Sequence, residues 1–222
     1  MNGKIIDKKE VATGTLQVTF QVNEEFNFKP GQYISVSIGD SQKYFSIVNS
    51  PDKKGTVTIA TRLRDSGFKK SLKELPVGSE VELGPISGPF VLPDDTSKPL
   101  VFIAGGIGIT PYISMLRYIA ERKLPYQITL LYSNRDQESS AYLEDLKNIP
   151  NLKLILTMTD DLNWQGEKRK IDANFIKEYF PLVNENSYFV VGPPLMVEAV
   201  QKALLEAGVD IENIVVENFT GY

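Results

Sequence analysis

Along the first 97 residues, apolar and polar side chains alternate. Leu16, Val18, Phe20 and Val22 form one series and Ile34, Val36 and Ile38 a second. Val57 with Ile59 and Val81 with Leu83 repeat the pattern. A period of two places each set on one face of a strand. Turn residues separate the series at Lys29-Pro30-Gly31, Gly39-Asp40, Asp52 to Gly55 and Pro76-Val77-Gly78. Short strands broken at such intervals predict a small antiparallel β-barrel or sandwich. Phe68 to Leu75 predicts one short helix.

After Pro93-Asp94-Asp95-Thr96-Ser97-Lys98-Pro99, a natural linker, the grammar changes. Short apolar runs predict strands at 99–104, 127–132, 152–158, 187–191 and 213–218. Between them, helical spacing predicts helices at 111–122, 139–147, 172–179 and 195–207. Ile113, Leu116, Ile119 and Ala120, for example, share one helix face. Strand alternating with helix predicts an α/β doubly wound, five-stranded parallel sheet. The expected domains are thus 1–97 and 98–222.

Two loops in the second half carry candidate chemistry. Gly105-Gly106-Ile107-Gly108-Ile109-Thr110-Pro111 follows Leu100-Val101-Phe102-Ile103-Ala104, and Gly192-Pro193-Pro194-Leu195-Met196 follows Tyr188-Phe189-Val190-Val191. A glycine loop between strand and helix lets backbone N–H groups approach a phosphate at a helix N-terminus. In the doubly wound order 3-2-1-4-5, the first and fourth strands are neighbours, so both loops meet at one crevice. The alternative is that these glycines only make tight turns and allow close packing.

Composition narrows the chemistry. The net charge of −4 argues against nucleic acid as the main partner. No apolar run reaches the roughly 18 residues that span a bilayer, and the first residues lack a signal-peptide core. There is no Cys and no His. A thiol nucleophile, a Ser-His-Asp triad, a His-based zinc site and cysteine-held iron–sulfur clusters are therefore excluded for this sequence. An enzyme of this composition leaves its chemistry to a cofactor. The missing cysteines suit a cytoplasmic location.

Four segments in order now resemble the ferredoxin–NADP⁺ reductase family: Lys43-Tyr44-Phe45-Ser46, Gly105 to Pro111, Val191-Gly192-Pro193-Pro194, and Glu217-Asn218-Phe219. The resemblance covers nearly the whole chain. It implies an N-terminal β-barrel that holds a flavin and a C-terminal domain that binds NAD(P). It makes Lys43, Tyr44 and Phe45 flavin contacts and Ser46 the hydroxyl facing the reacting ring nitrogen. Thr61 and the turn Gly67, Phe68, Lys69, Lys70 and Ser71 then receive the pyrophosphate. Gly105, Gly106, Gly108, Thr110, Pro111, Gly192, Pro193, Pro194 and Met196 line the nucleotide. Ser46, Glu217 and Phe219 stand where the hydride moves, Phe219 as a cover on the flavin face, with Tyr222 able to fold over the same ring.

Three departures matter. Lys43 replaces an Arg and loses its bidentate fork on phosphate. Phe45 replaces a Tyr, keeping the stacking face without the hydroxyl. Val191 replaces a Cys that the hydride chemistry does not need.

At the end of the second strand of the α/β half, Ser133 and Arg135 come before Asp136. Hydroxyl and basic groups there accommodate a 2′-phosphate, so NADPH is expected over NADH. Lys168-Arg169-Lys170 is a further basic run within reach of that corner.

The expected function is an FAD-dependent NAD(P)H oxidoreductase that passes electrons to a small redox protein such as ferredoxin or flavodoxin. FMN is the lesser alternative cofactor. Rival readings are a free-flavin or ferric reductase and a non-catalytic flavin-binding subunit. A hydrolase ranks last, because no nucleophile–base pair is present.

Overall fold

The computed structural model describes residues 1–23 and 25–219. It divides into two compact units, Met1–Leu92 with Thr110–Arg122 and Pro93–Ile109 with Lys123–Tyr222.

The first unit contains β1 (Asn2–Ala12), β2 (Thr15–Gln21), β3 (Tyr33–Ile38), β4 (Ser41–Ser46), β5 (Thr56–Arg62), α1 (Gly67–Glu74), β6 (Glu80–Ser87) and the later helix α2 (Thr110–Arg122). Its strands form one antiparallel sheet in the order β4-β3-β6-β1-β2-β5. The sheet is barrel-like but not closed. Its end strands β4 and β5 meet at a single bridge, Ile47 to Ile59, just beyond the end of β4. The expected barrel therefore has an open seam, because the chain leaves the sheet after Ser46.

Every residue of the four alternating series packs into this unit's core, including Val18, Phe20, Ile34, Val36, Val57, Ile59 and Leu83 at zero exposure. Strand β1 was not expected, since only Ile5 and Gly3 are buried among its polar residues before Ala12. Helix α1 is amphipathic and inserts Phe68 and Leu72 into the same core.

The first two turns of α2 are buried on all sides, from Thr110 to Leu116, with Tyr112 packed on Phe90 at 5.8 Å. Ser114 donates to the Asn49 carbonyl at 2.8 Å, and Arg122 makes a two-bond ion pair with Asp52 at 2.6 and 2.7 Å. Gly31, at φ +99°, lies so close to Met115 and the Phe90 carbonyl that no side chain fits there.

The second unit is a parallel sheet of β7 (Leu100–Gly105), β8 (Ile128–Asn134), β9 (Leu152–Met158), β10 (Ser187–Gly192) and β11 (Ile214–Asn218). Helices α3 (Leu143–Lys147), α4 (Ala173–Tyr179) and α5 (Pro194–Ala207) accompany it. The order β11-β10-β7-β8-β9 is the doubly wound order expected from the sequence. β7 is buried at every residue, as suits a central strand covered on both faces.

Helix α3 begins four residues later than 139–147 predicted. The Asp136 side chain accepts the Ser139 N–H at 2.7 Å and its carbonyl accepts the Ser140 hydroxyl at 2.7 Å, which makes a turn there instead. Tyr142 then takes a left-handed φ of 61° before the helix starts.

Candidate cofactor sites

The first candidate site is built on β4 and α1. Residues of β4 alternate across the sheet, with Lys43 opposite Val36 and Phe45 opposite Ile34 on the core side. Phe45 is half-buried, and its ring stacks on Phe68 of α1 at 5.7 Å and 28°. Tyr44 and Ser46 point the other way. Tyr44 is 65% exposed and meets Tyr33 edge-on at 5.8 Å. Ser46 is buried, and its Oγ has no hydrogen-bond partner. A buried hydroxyl without a partner is costly. β4 is also an edge strand, so its outer backbone groups lie outside the sheet's ladder.

Lys43 and Arg64 lie near enough to Lys69, in the first turn of α1, for their charges to act on it. The Lys69 pKa is lowered, first by burial and then by the like charges of Arg64 and Lys43. Ser66 precedes the helix without a side-chain cap, and Gly67 has open space where a Cβ would stand. Positive side chains gathered at the positive end of a helix form a site for an anion. Thr61 is buried at the end of β5, Lys70 is exposed, and Ser71 sits one turn further along α1. Arg64 was not singled out from sequence; the signal was its place between a strand and a helix that begins with two lysines.

The second candidate site is built where β7 and β10 end side by side. Gly105 closes β7, and a 3-10 turn, Gly106–Ile109, leads into α2 in place of a direct entry. A Cβ at Gly105 would collide with Met196 Sδ, and one at Gly108 would stand 2.6 Å from the Val191 carbonyl oxygen. One at Gly192 would stand 3.4 Å from the Gly105 backbone. These three glycines let the loops touch. Gly106 is different: it has a φ of +53° and nothing within 4 Å of its missing side chain. Its missing side chain faces open space. The loop is fixed from below by Tyr132, whose buried hydroxyl bonds the carbonyls of Gly106 at 3.1 Å and Ala141 at 3.2 Å. Thr110 and Pro111 are buried at the start of α2, and Pro194 opens α5 behind Pro193.

Glu217 stands opposite Val191 near the end of β11. Burial pushes its pKa up to about 7, and its Oε2 has no partner. Phe219 follows, half-buried, with its N–H donating to the Gly192 carbonyl at 3.3 Å. Tyr222 lies outside the described residues.

At the end of β8, Ser133 is half-buried and Arg135 exposed. Asp136 is taken up by its turn with Ser139. Asn134, between them, is buried with neither side-chain atom bonded, a feature that alternation alone did not single out. Two members of the basic run have partners of their own. Arg169 is held by Glu167 at 2.6 Å and Glu178 at 2.8 Å, and Lys168 donates to the Leu162 carbonyl at 3.2 Å.

Residues 102–202 match the oxidoreductase NAD-binding domain family. The chain is 30% identical, over 80% of its length, to one subunit of the Na(+)-translocating NADH-quinone reductase of Methylococcus capsulatus, covering 49% of that protein. It is 28% identical, over 88% of its length, to sulfhydrogenase 1 subunit gamma of Pyrococcus furiosus, covering 70% of it. The chain spans about half to three-fifths of several relatives, which include a reductase component of terephthalate 1,2-dioxygenase from Comamonas. Its fold superposes on a ferredoxin NADP+ reductase of Neisseria gonorrhoeae, solved with FAD and NADP, at a TM-score of 0.86 with 20% identity and 98% of each chain covered. None of the helices among the described residues is long and apolar enough to cross a membrane.

Proposed function

We propose that this chain, which has the ferredoxin–NADP⁺ reductase-like fold and carries an oxidoreductase NAD-binding domain, is an FAD-dependent NADPH oxidoreductase. We assign the flavin to residues 1–97 and the nucleotide to residues 98–222. The observation that carries the reading is the gathering of Lys43, Arg64 and Lys69 at the first turn of α1 in a chain with an NAD-binding domain.

A bound flavin supplies hydride acceptance and the release of electrons singly or in pairs. The residues of this chain do the rest. Lys43, Lys69, Arg64 and the backbone N–H groups from Gly67 neutralise the flavin phosphates, with Thr61, Lys70 and Ser71 beside them. Tyr44 and Phe45 would contact the flavin from β4, and Ser46 would offer its hydroxyl. Gly106 lets the nucleotide phosphates approach the loop backbone, while Gly105, Gly108, Gly192, Pro193, Pro194 and Met196 hold the two loops together. Glu217, its pKa pushed up by burial, stands beside Val191 as a carboxyl able to hold or release a proton. Ser133 and Arg135 take the 2′-phosphate of NADPH. Arg135 has no ion-pair partner among the described residues, and the Asp136 carboxylate is engaged in its own turn.

The electrons pass to a separate redox protein of the ferredoxin or flavodoxin class. Relatives named as reductase components and as an enzyme subunit support an acceptor outside this chain. We place the protein in the cytoplasm, which suits a sequence without cysteine.

The test is direct. The purified protein should be yellow, release FAD on heating, and be bleached anaerobically by NADPH faster than by NADH. Release of FMN alone would overturn the cofactor, and equal rates the nucleotide preference. A yellow protein that neither nucleotide bleaches would be a flavin-binding subunit and no reductase.

A further inference from the structure

Strict alternation along β1 from the buried Ile5 would turn Asp7 and Lys9 inward and Lys8 outward. The pairing with β2 slips between Ile5 and Asp7, and Lys8 comes to lie opposite Val18, a core residue. A bulge of this kind moves every following residue to the other face. Lys8 is therefore carried to the core face of the sheet, where it is half-buried and its ammonium donors need partners.

They are all satisfied. The Lys8 ammonium donates to the carbonyls of Leu72 at 3.0 Å, Lys73 at 2.5 Å and Leu75 at 2.7 Å. A lysine has three N–H donors, and these are three. The acceptors belong to the last turn and C-cap of α1, where carbonyls lack helical partners and the helix dipole is negative. The opposite end of the same eight-residue helix faces the gathered charges of Lys43, Arg64 and Lys69. So short a helix has little stability of its own. Its place is set by Phe68 and Leu72 in the core and by what grips its ends. Like charges push at one end. Lys8 holds the other.

We propose that Lys8 is a positioning residue for the phosphate-binding turn: by tying off the last carbonyls of α1 it fixes the direction of the helix and the place of its first N–H groups. This rests on the flavin reading above. An apolar residue at position 8 would suit the core but would release the end of α1.

The measurement is the affinity of the flavin-free full chain for FAD and, separately, for riboflavin, which lacks the phosphates. Lys8→Met should weaken FAD binding about tenfold, the scale of losing charge-assisted hydrogen bonds, and leave riboflavin within about twofold. Lys8→Arg, which keeps the charge and donors, should restore FAD binding to within about threefold of wild type. Lys8→Gln should fall between and serves the same test if the Met variant does not fold. Equal losses for FAD and riboflavin would make Lys8 a general stabiliser and overturn the proposal, as would no loss for either. A wild type that binds FAD no tighter than riboflavin would sink the flavin-phosphate reading itself, and this inference with it.

Discussion

The two candidate sites are built by different means. In the first unit, side chains carry the charge. Its residue ranges hold 14 basic and 11 acidic residues, and Lys43, Arg64 and Lys69 crowd one helix end. The second unit holds 10 basic and 17 acidic residues and relies on backbone: an open glycine, two touching loops and the ends of parallel strands. A charge cluster tolerates folding without its ligand but loses the ligand when a charge is reversed. A backbone cradle is part of the core, so damage to it is felt first as instability.

Substitutions break this contrast if it is wrong. The largest effect belongs to Lys69→Glu, which should lower FAD affinity about 100-fold by placing an acid at the cluster, while leaving nucleotide affinity unchanged. Fluorescence titration reads both, and the wild-type FAD affinity should also fall with added salt. An unchanged FAD affinity would mean that the cluster is ordinary surface charge.

Gly108→Ala should act in the opposite sense. Its new Cβ meets the Val191 carbonyl oxygen and the Gly192 Cα, at 2.6 and 3.0 Å, and neither can swing aside as a side chain tip can. Thermal or urea unfolding should show a loss of about 1–3 kcal/mol from overpacking. Normal stability with lost nucleotide affinity would reverse the roles assigned to Gly108 and Gly106.

Arg135→Ala tests the side-chain charge proposed to serve the second unit. NADPH affinity should fall by about 1–3 kcal/mol, the scale of hydrogen bonds to a charged group, with NADH affinity nearly unchanged. Equal losses would make Arg135 structural.

The smallest effect concerns Glu217. Burial raises its folded pKa from 4.5 to about 7, so the folded state binds the extra proton between those values. Stability from this group is therefore greatest below about pH 4.5 and declines as pH rises to about 7. Glu217→Gln should flatten that decline and be relatively more stable above pH 7, as melting curves across pH will show. A wild-type profile with no such decline would place the carboxyl in water.

Much of this was legible from residue order. Strict alternation found the core side of β2, β3, β5 and β6, because a half-buried sheet must segregate apolar residues with period two. The run Leu100 to Ala104 announced a strand buried on both faces, and the loops after it and after Val191 announced neighbouring strand ends. The order of the parallel sheet followed from the habit of doubly wound folds.

Other features were set by contacts that no local pattern announces. The slip in β1 that turns Lys8 inward depends on its pairing with β2 and leaves no mark in a polar stretch. Glu167 and Glu178 capture Arg169, and no local pattern says which basic residue will be claimed. Phe45 and Phe68 stack because an edge strand and a helix share one core. By itself, the sequence determined most of the elements, the buried faces of the alternating strands and the positions of the glycine loops, because periodicity and backbone freedom are local properties. The tertiary structure decided which charges stay available, which glycine stays open and which carboxyl is desolvated. Those depend on what packs nearby in space.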